Sequence, residues 1–310
     1  MTTHRRGTIV VSAPAVAAVA VLLSACASPV AADLEGPAAG APTSVTHVHA
    51  IDVDTSRELV TIATHEGLMS IDISANGDPG SPPTVLGDYR GDVMGFVRAD
   101  DRFLVSGHPP AGDSGPANVG VLDVDLGARA WDPLALSGDV DFHAMSRYAS
   151  GSSSLIVGLD SVSGAAMTSD DDGVSWMSGV AIPARDVAVV PGGQVLVVTT
   201  ESGPQLSSDR GVTWSPVEGA PILVLVEVGT TMTGEQAVFG VDVEGTLHRS
   251  ADGRDWEPLT ALPFFPDALG VGEFGALVIA NTERAMLSTD EGSTWSQIAD
   301  MSVPLAPPAP

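Results

Sequence analysis

One short pattern recurs at nearly even spacing through the second half of the chain, and such recurrence restricts the fold more than any composition could. The first full copy reads Ser169-Asp170-Asp171-Asp172-Gly173-Val174-Ser175-Trp176. Three more follow, with Ser207, Asp209, Gly211 and Trp214, then Ser250, Asp252, Gly253 and Trp256, then Ser288, Asp290, Gly292 and Trp295. The copy at Ser250 is one residue short. An eroded copy precedes them, where Asp123 takes the place of Ser, Asp125 and Gly127 follow in register, and Trp131 arrives one residue late. Every tryptophan of the chain belongs to a copy, at a period of roughly 40 residues, the signature of a repeat architecture. The segments between copies are short, Val-rich and bounded by turn residues, which reads as strands. Strand repeats of this length are propeller blades.

The phase of the repeat follows from the apolar runs. Innermost strands are expected to begin at Val45 to Val53, Val93 to Arg98, Phe142 to Arg147, Asp186 to Val190, Ile222 to Val228 and Ala268 to Gly272. Second strands are expected at Leu59 to Ala63, Arg102 to Ser106, Leu155 to Leu159, Gln194 to Thr199, Gln236 to Val241 and Gly275 to Ala280. The expectation is therefore an all-β, six-bladed propeller whose Ser-Asp-Gly-Trp pattern forms the turn between third and fourth strands. A seventh blade stays open, because the first unit lacks the pattern and its fourth strand is weakly marked around Val85 to Asp88.

The repeated motif resembles the Asp-box, or BNR repeat, of bacterial sialidases and sortilin-type receptors. That resemblance implies a structural turn on the face away from the functional one. Asp and Ser oxygens accept local backbone N–H groups, Gly supplies positive φ, and Trp fills space between sheets. The run Asp170 to Asp172 has the oxygens for a calcium ion, but its layout matches its siblings and favours the structural reading.

The leader sets the compartment. His4, Arg5 and Arg6 precede an apolar stretch from Ile9 to Leu23 that ends in Leu23-Ser24-Ala25-Cys26, which reads as a signal peptide over residues 1–25. The ending resembles the lipobox of bacterial lipoproteins, which implies lipidation of Cys26. Cys26 is the only cysteine, so no intramolecular disulfide is available. Thr8 stands where twin-arginine export expects an apolar residue, which favours the general pathway. Residues 26–46 read as a lipidated Cys and flexible tether, 47–300 as the propeller, and 301–310 as a Pro-rich tail. The expected location is extracytoplasmic, on the cell membrane through the lipid.

The chain has no lysine, and its 13 arginines face 39 acidic residues for a net charge of −26. Such a surface repels nucleic acid and anionic headgroups, so nucleic acid is excluded as an expected partner. The bland consequence is a dispersed, monomeric protein.

In a propeller, strands alternate in direction, so the turn between strands two and three shares a face with the entry to strand one. This face, called upper below, is expected to collect His47, His49, His65, His108 and His143, five of the seven histidines. With Asp141 and Met94 they form a candidate metal site. Neutral imidazole suits zinc or copper, and a thioether alongside favours cuprous copper.

The phrases Val45-Thr46-His47-Val48-His49-Ala50, Ala63-Thr64-His65-Glu66-Gly67-Leu68 and Asp141-Phe142-His143-Ala144 are similar to secreted bacterial glycosyl-hydrolase-like or exo-sialidase-like proteins. A sialidase would imply three converging arginines, an Arg-Ile-Pro motif, an aspartic acid donor and a tyrosine nucleophile paired with glutamate. The chain has no Arg-Ile-Pro and only two tyrosines, Tyr89 and Tyr148; its upper-face arginines, Arg90, Arg185 and Arg284, come from separate blades. A glycosidase would draw its carboxylates from Asp141, Asp160, Glu201 and Glu283. Three readings stay open: a ligand or metal binder, an exo-glycosidase, and a surface scaffold for a protein or glycan.

Overall fold

The computed structural model describes residues 44–305 apart from 75, 76 and 152. The signal peptide, Cys26 and nearly all of the tether lie outside the described residues. Among the described residues there are no helices, and the strands form six four-stranded antiparallel sheets. Each sheet is a blade built from four consecutive strands, so this is a six-bladed β-propeller.

The innermost strands are β1 (Val48–Asp54), β5 (Asp92–Ala99), β9 (Phe142–Ser150), β13 (Ala184–Val189), β17 (Leu223–Thr230) and β21 (Ala268–Val271). Each pairs with the strand that follows it: β2 (Leu59–Thr64), β6 (Arg102–His108), β10 (Ser153–Asp160), β14 (Leu196–Thr200), β18 (Gln236–Asp242) and β22 (Leu277–Ala280). Second strands are almost wholly buried, as their continuous apolar runs require. The outermost strand of the first blade, β4 (Thr84–Val85), is two residues long.

The repeated motif makes the turn between strands three and four, as its spacing predicts. In the first full copy, Ser169 Oγ accepts the Gly173 N–H at 2.9 Å. Asp171 accepts the Ser175 N–H at 2.8 Å and the Ser175 hydroxyl at 2.6 Å. The same Ser-to-Gly bond recurs at 2.8 Å for Ser207 with Gly211, 2.9 Å for Ser250 with Gly253 and 2.8 Å for Ser288 with Gly292. Gly173 has a φ of +86°, and a Cβ there would lie 2.9 Å from the Leu104 side chain, so conformation and space both demand glycine. The short copy keeps its function by moving the bonds: Asp252 accepts from Arg254 and Asp255. In the eroded copy Asp125 accepts the Gly127, Arg129 and Ala130 N–H groups. These bonds keep the Asp125, Asp171, Asp209 and Asp290 carboxyls below the ordinary range, Asp209 at about 2.

The core divides into six wedges, one per seam between neighbouring blades. Five hold one tryptophan each: Trp131, Trp176, Trp214, Trp256 and Trp295. Trp131 stacks on Tyr89 at 4.0 Å, and Trp176 leans on Phe142 at 4.7 Å. The sixth seam closes the ring between β21 and β1 without a tryptophan. Val45, ahead of the first strand, and Met301 and Leu305, beyond the last, fill it beside Ile51, Val60 and Ile62. Residues 301–305, expected in the tail, thus help close the propeller. Asp300 N–H to Ser81 O at 3.1 Å adds a polar tie across the same seam.

Candidate metal centre

One backbone irregularity builds the upper face. In the first blade the pairing passes from Val48 opposite Thr64 to Ala50 opposite Ala63, which leaves His49 as an extra residue. Met94 is extra in the same way in β5, His143 in β9 and Val224 in β17. A bulge at the start of an inner strand re-aims its side chain and is a common device beside functional sites. Two further positions repeat with it. The residue at the entry to the inner strand is His47, Asp92, Asp141, Pro183, Ile222 or Asp267, in blade order, and the one across from it at the end of the second strand is His65, His108, Ser161, Glu201, Val243 or Asn281; Asp92 and His108 pair directly, and in the other blades both stand one residue outside the first pair.

In blades one to three these positions converge. The ring of His47 lies 4.6 Å from that of His49 and 5.3 Å from that of His65, and His49 and His65 are 4.8 Å apart. Asp92 faces them from the second blade, 3.3 Å from His49 Nε2 and 3.6 Å from His65 Nε2. Next to it, Asp141 Oδ2 is 2.8 Å from His143 Nε2 and 3.6 Å from His108 Nε2. The donor atoms of His49, His65 and Asp92 all lie within 4.8 Å of one another, and so do those of His108, Asp141 and His143.

Bonds outside these groups hold the rings. His108 Nδ1 donates to the Ala117 carbonyl at 3.0 Å, which orients the ring with Nε2 toward Asp141. His65 Nδ1 meets Thr46 Oγ1 at 3.4 Å, and that hydroxyl donates to Glu66 at 2.5 Å. Ser161 donates to Asp141 Oδ2 at 2.7 Å. Burial and the neighbouring His49 keep the His47 ring below its ordinary pKa. The hydrogen bond to Asp141 raises His143. Burial alone would raise Asp141, but bonds from His143 and Ser161 hold it below the usual range.

Three buried polar atoms here make no hydrogen bond: His49 Nε2 and Asp92 Oδ1, which face each other as an ion pair at 3.3 Å, and Asp141 Oδ1, which has no partner of either kind. The His49 and Asp141 side chains are only 7% and 5% exposed. Leaving the Asp141 oxygen unpaired costs about 1–3 kcal/mol, and an ion there would remove the penalty.

The other expected residues have different surroundings. Asp160 caps its own turn, accepting from the Asp141, Val162 and Ser163 N–H groups and the Ser163 hydroxyl. Glu201 and Glu283 are exposed in the fourth and sixth blades, and Glu283 pairs with Arg284 at 3.0 Å. Among the four carboxylates expected of a glycosidase, only Asp141 and Asp160 are neighbours. The Tyr89 hydroxyl donates to the His108 carbonyl at 2.9 Å, and burial pushes it up to about 12. Arg90 spends its guanidinium on the Gly87 and Tyr89 carbonyls. Tyr148 packs with the third and fourth blades. Met94 holds the second blade's bulge position, the counterpart of His49 and His143.

Sequence reasoning missed Asp92. Its signal was the entry position it shares with His47 and Asp141, legible only once the phase is known to one residue. On the opposite side of the upper face, Pro183, Ile222, Val224 and Val243 line a cleft of about 600 Å³ with Arg185 and Glu201 at its polar edge.

No protein-family model matches this chain, and no curated protein matches it by sequence. Solved β-propellers do resemble it. A chain of a nidogen/laminin complex superposes with a TM-score of 0.56 at 11% identity, covering 79% of this chain and 94% of that one. YCF48 bound to D1 peptide gives 0.49 at 15% identity over 85% of this chain and 86% of that one. A GH74 xyloglucanase from Xanthomonas campestris gives 0.48 at 17% identity, covering 84% of this chain and 46% of that one. The likeness is one of fold. No activity or partner comes with it at these identities.

Proposed function

We propose that this chain is a lipid-anchored, extracytoplasmic propeller that binds a divalent transition metal on the upper face of blades one to three. The observation that carries the reading is the convergence of imidazoles and a carboxylate in two groups whose donor atoms lie within 4.8 Å of one another, with the buried Asp141 Oδ1 left without a partner. A carboxylate in each group suits zinc or cupric copper better than the cuprous ion that Met94 suggested, because an anionic oxygen is a hard donor. The anchor rests on the Leu23-Ser24-Ala25-Cys26 ending, and residues 26–46 supply the tether.

The test is metal content and uptake by the processed chain purified in detergent. Zinc or copper bound in stoichiometric amount, and lost in a His49→Ala, His143→Ala double variant, supports the reading. Uptake no greater than that of the double variant would end it. Mass spectrometry of the N-terminal peptide tests the anchor separately: a diacylglycerol adduct on Cys26 is expected, and an unmodified thiol rules it out.

A further inference from the structure

The two ligand groups are repeat copies of one another. His65 follows the second strand of blade one and meets Asp92 at the entry of blade two; His108 ends the second strand of blade two and meets Asp141 at the entry of blade three. The Nε2-to-carboxylate distance is 3.6 Å in both. A bulge histidine completes each group, His49 from the blade behind the seam in the first and His143 from the blade ahead of it in the second. The remaining seams break the pair: Ser161 with Pro183, Glu201 with Ile222, Val243 with Asp267, and Asn281 with His47. The repeat therefore offers this seat twice, at neighbouring seams.

Resting on the metal-binding reading, we propose that the upper face seats two ions, one held by His49, His65 and Asp92 and the other by His108, Asp141 and His143. Each seat has its own side chain more than nine-tenths buried with a polar atom that makes no hydrogen bond: His49 Nε2, which faces Asp92 Oδ1 at 3.3 Å, in one and Asp141 Oδ1 in the other. No donor is shared, and the bonds that steady the rings are separate: Thr46 and Glu66 serve the first seat, Ala117 and Ser161 the second. Three protein donors leave an open position on a four-coordinate zinc, the arrangement of sites that bind an exchangeable ligand. In the first seat the ring of His47 lies 4.6 Å from that of His49, outside the three donors.

Zinc titration of the metal-free processed chain, with bound zinc measured after gel filtration, reads the number of seats. Wild type should hold about two equivalents. The His49→Ala, His65→Ala pair and the His108→Ala, His143→Ala pair should each hold about one, and the four together none. One equivalent in wild type, abolished by either pair, would overturn the two-seat proposal and leave metal binding standing. No zinc or copper in wild type would remove both. Loss of both ions in one pair, with its thermal transition unchanged, also overturns independent seats. If a pair fails to fold, Asp92→Asn and Asp141→Asn replace it, and each must remove one ion and keep the other.

Discussion

The two faces of the propeller come from the same four-stranded unit, yet they keep different things constant. On the lower face the side chains repeat: Ser, Asp, Gly and Trp recur, and the Ser-to-Gly bond is 2.8 or 2.9 Å in every full copy. On the upper face the backbone repeats and the side chains do not: one bulge carries His49, Met94, His143 and Val224 in turn. A fixed side chain marks a job every blade shares. A fixed backbone with a changing side chain marks a place where residues can be chosen for chemistry. Within the upper face the choice is again split, since blades one to three bring imidazoles and carboxylates together while blades four and five present mainly the apolar Pro183, Ile222, Val224 and Val243, with Arg185 and Glu201 at the edge.

The sharpest way to break this contrast is to remove a shared side chain. Trp176→Ala empties the wedge between Phe142 and Leu104 and should lower unfolding free energy by about 3 kcal/mol in urea titration. Zinc uptake by the folded fraction should be unchanged, and a loss of uptake would deny that the faces are separable.

The inner strands connect the faces, and their acids give the next largest effect. Burial pushes Glu227 up to about 8, with the charges of Asp186 and Asp52 adding to it, and pushes Asp186 up to about 6. The unfolded chain ionises first, so both groups cost the folded state stability as pH rises from the ordinary carboxyl range through those values. Glu227→Gln should remove most of that slope, a gain on the order of 3 kcal/mol at pH 9 and little at pH 4. Equal gains at both pH values would show that the carboxyl is not protonated in the fold.

How much of this was legible follows the same division. The lower face was readable because its signal is residue identity at a fixed period, and the strand three to four turn, the five seam tryptophans and the six blades all followed from it. The closing seam was not, because Val45, Met301 and Leu305 are ordinary apolar residues whose role depends on both ends of the chain meeting. The upper-face histidines were assigned to the right face from strand alternation alone. Asp92 was missed and Asp160 overvalued because both decisions turn on one residue of register. Asp92 stands at a blade entry, whereas Asp160 ends a strand and spends its oxygens on its own turn.

Ligand binding sharpens the comparison from the other side. Zinc at a free concentration 100-fold above its dissociation constant should stabilise the protein by about 2.7 kcal/mol per independent seat, seen as a rise in the denaturant midpoint. The Trp176→Ala variant should gain the same increment as wild type, and the variant lacking the four seat histidines should gain none. A smaller gain in Trp176→Ala would mean that the second seat depends on the wedge beneath it, since Phe142 lies between Asp141 and His143 in sequence and packs on Trp176.

The smallest expected effect separates the turn from its plug. Ser169→Ala removes the acceptor of the Gly173 N–H while leaving Trp176 in place, and should cost about 1–2 kcal/mol. Ser250→Ala should cost less, because the Gly253 bond is matched at 2.9 Å but the Ser250 hydroxyl reaches Asp252 only at 3.3 Å, against 2.9 Å from Ser169 to Asp171. If both serines cost the same, the extra residue of the full copies does not stabilise the turn, and the recurrence of the longer form would need an explanation other than hydrogen bonding.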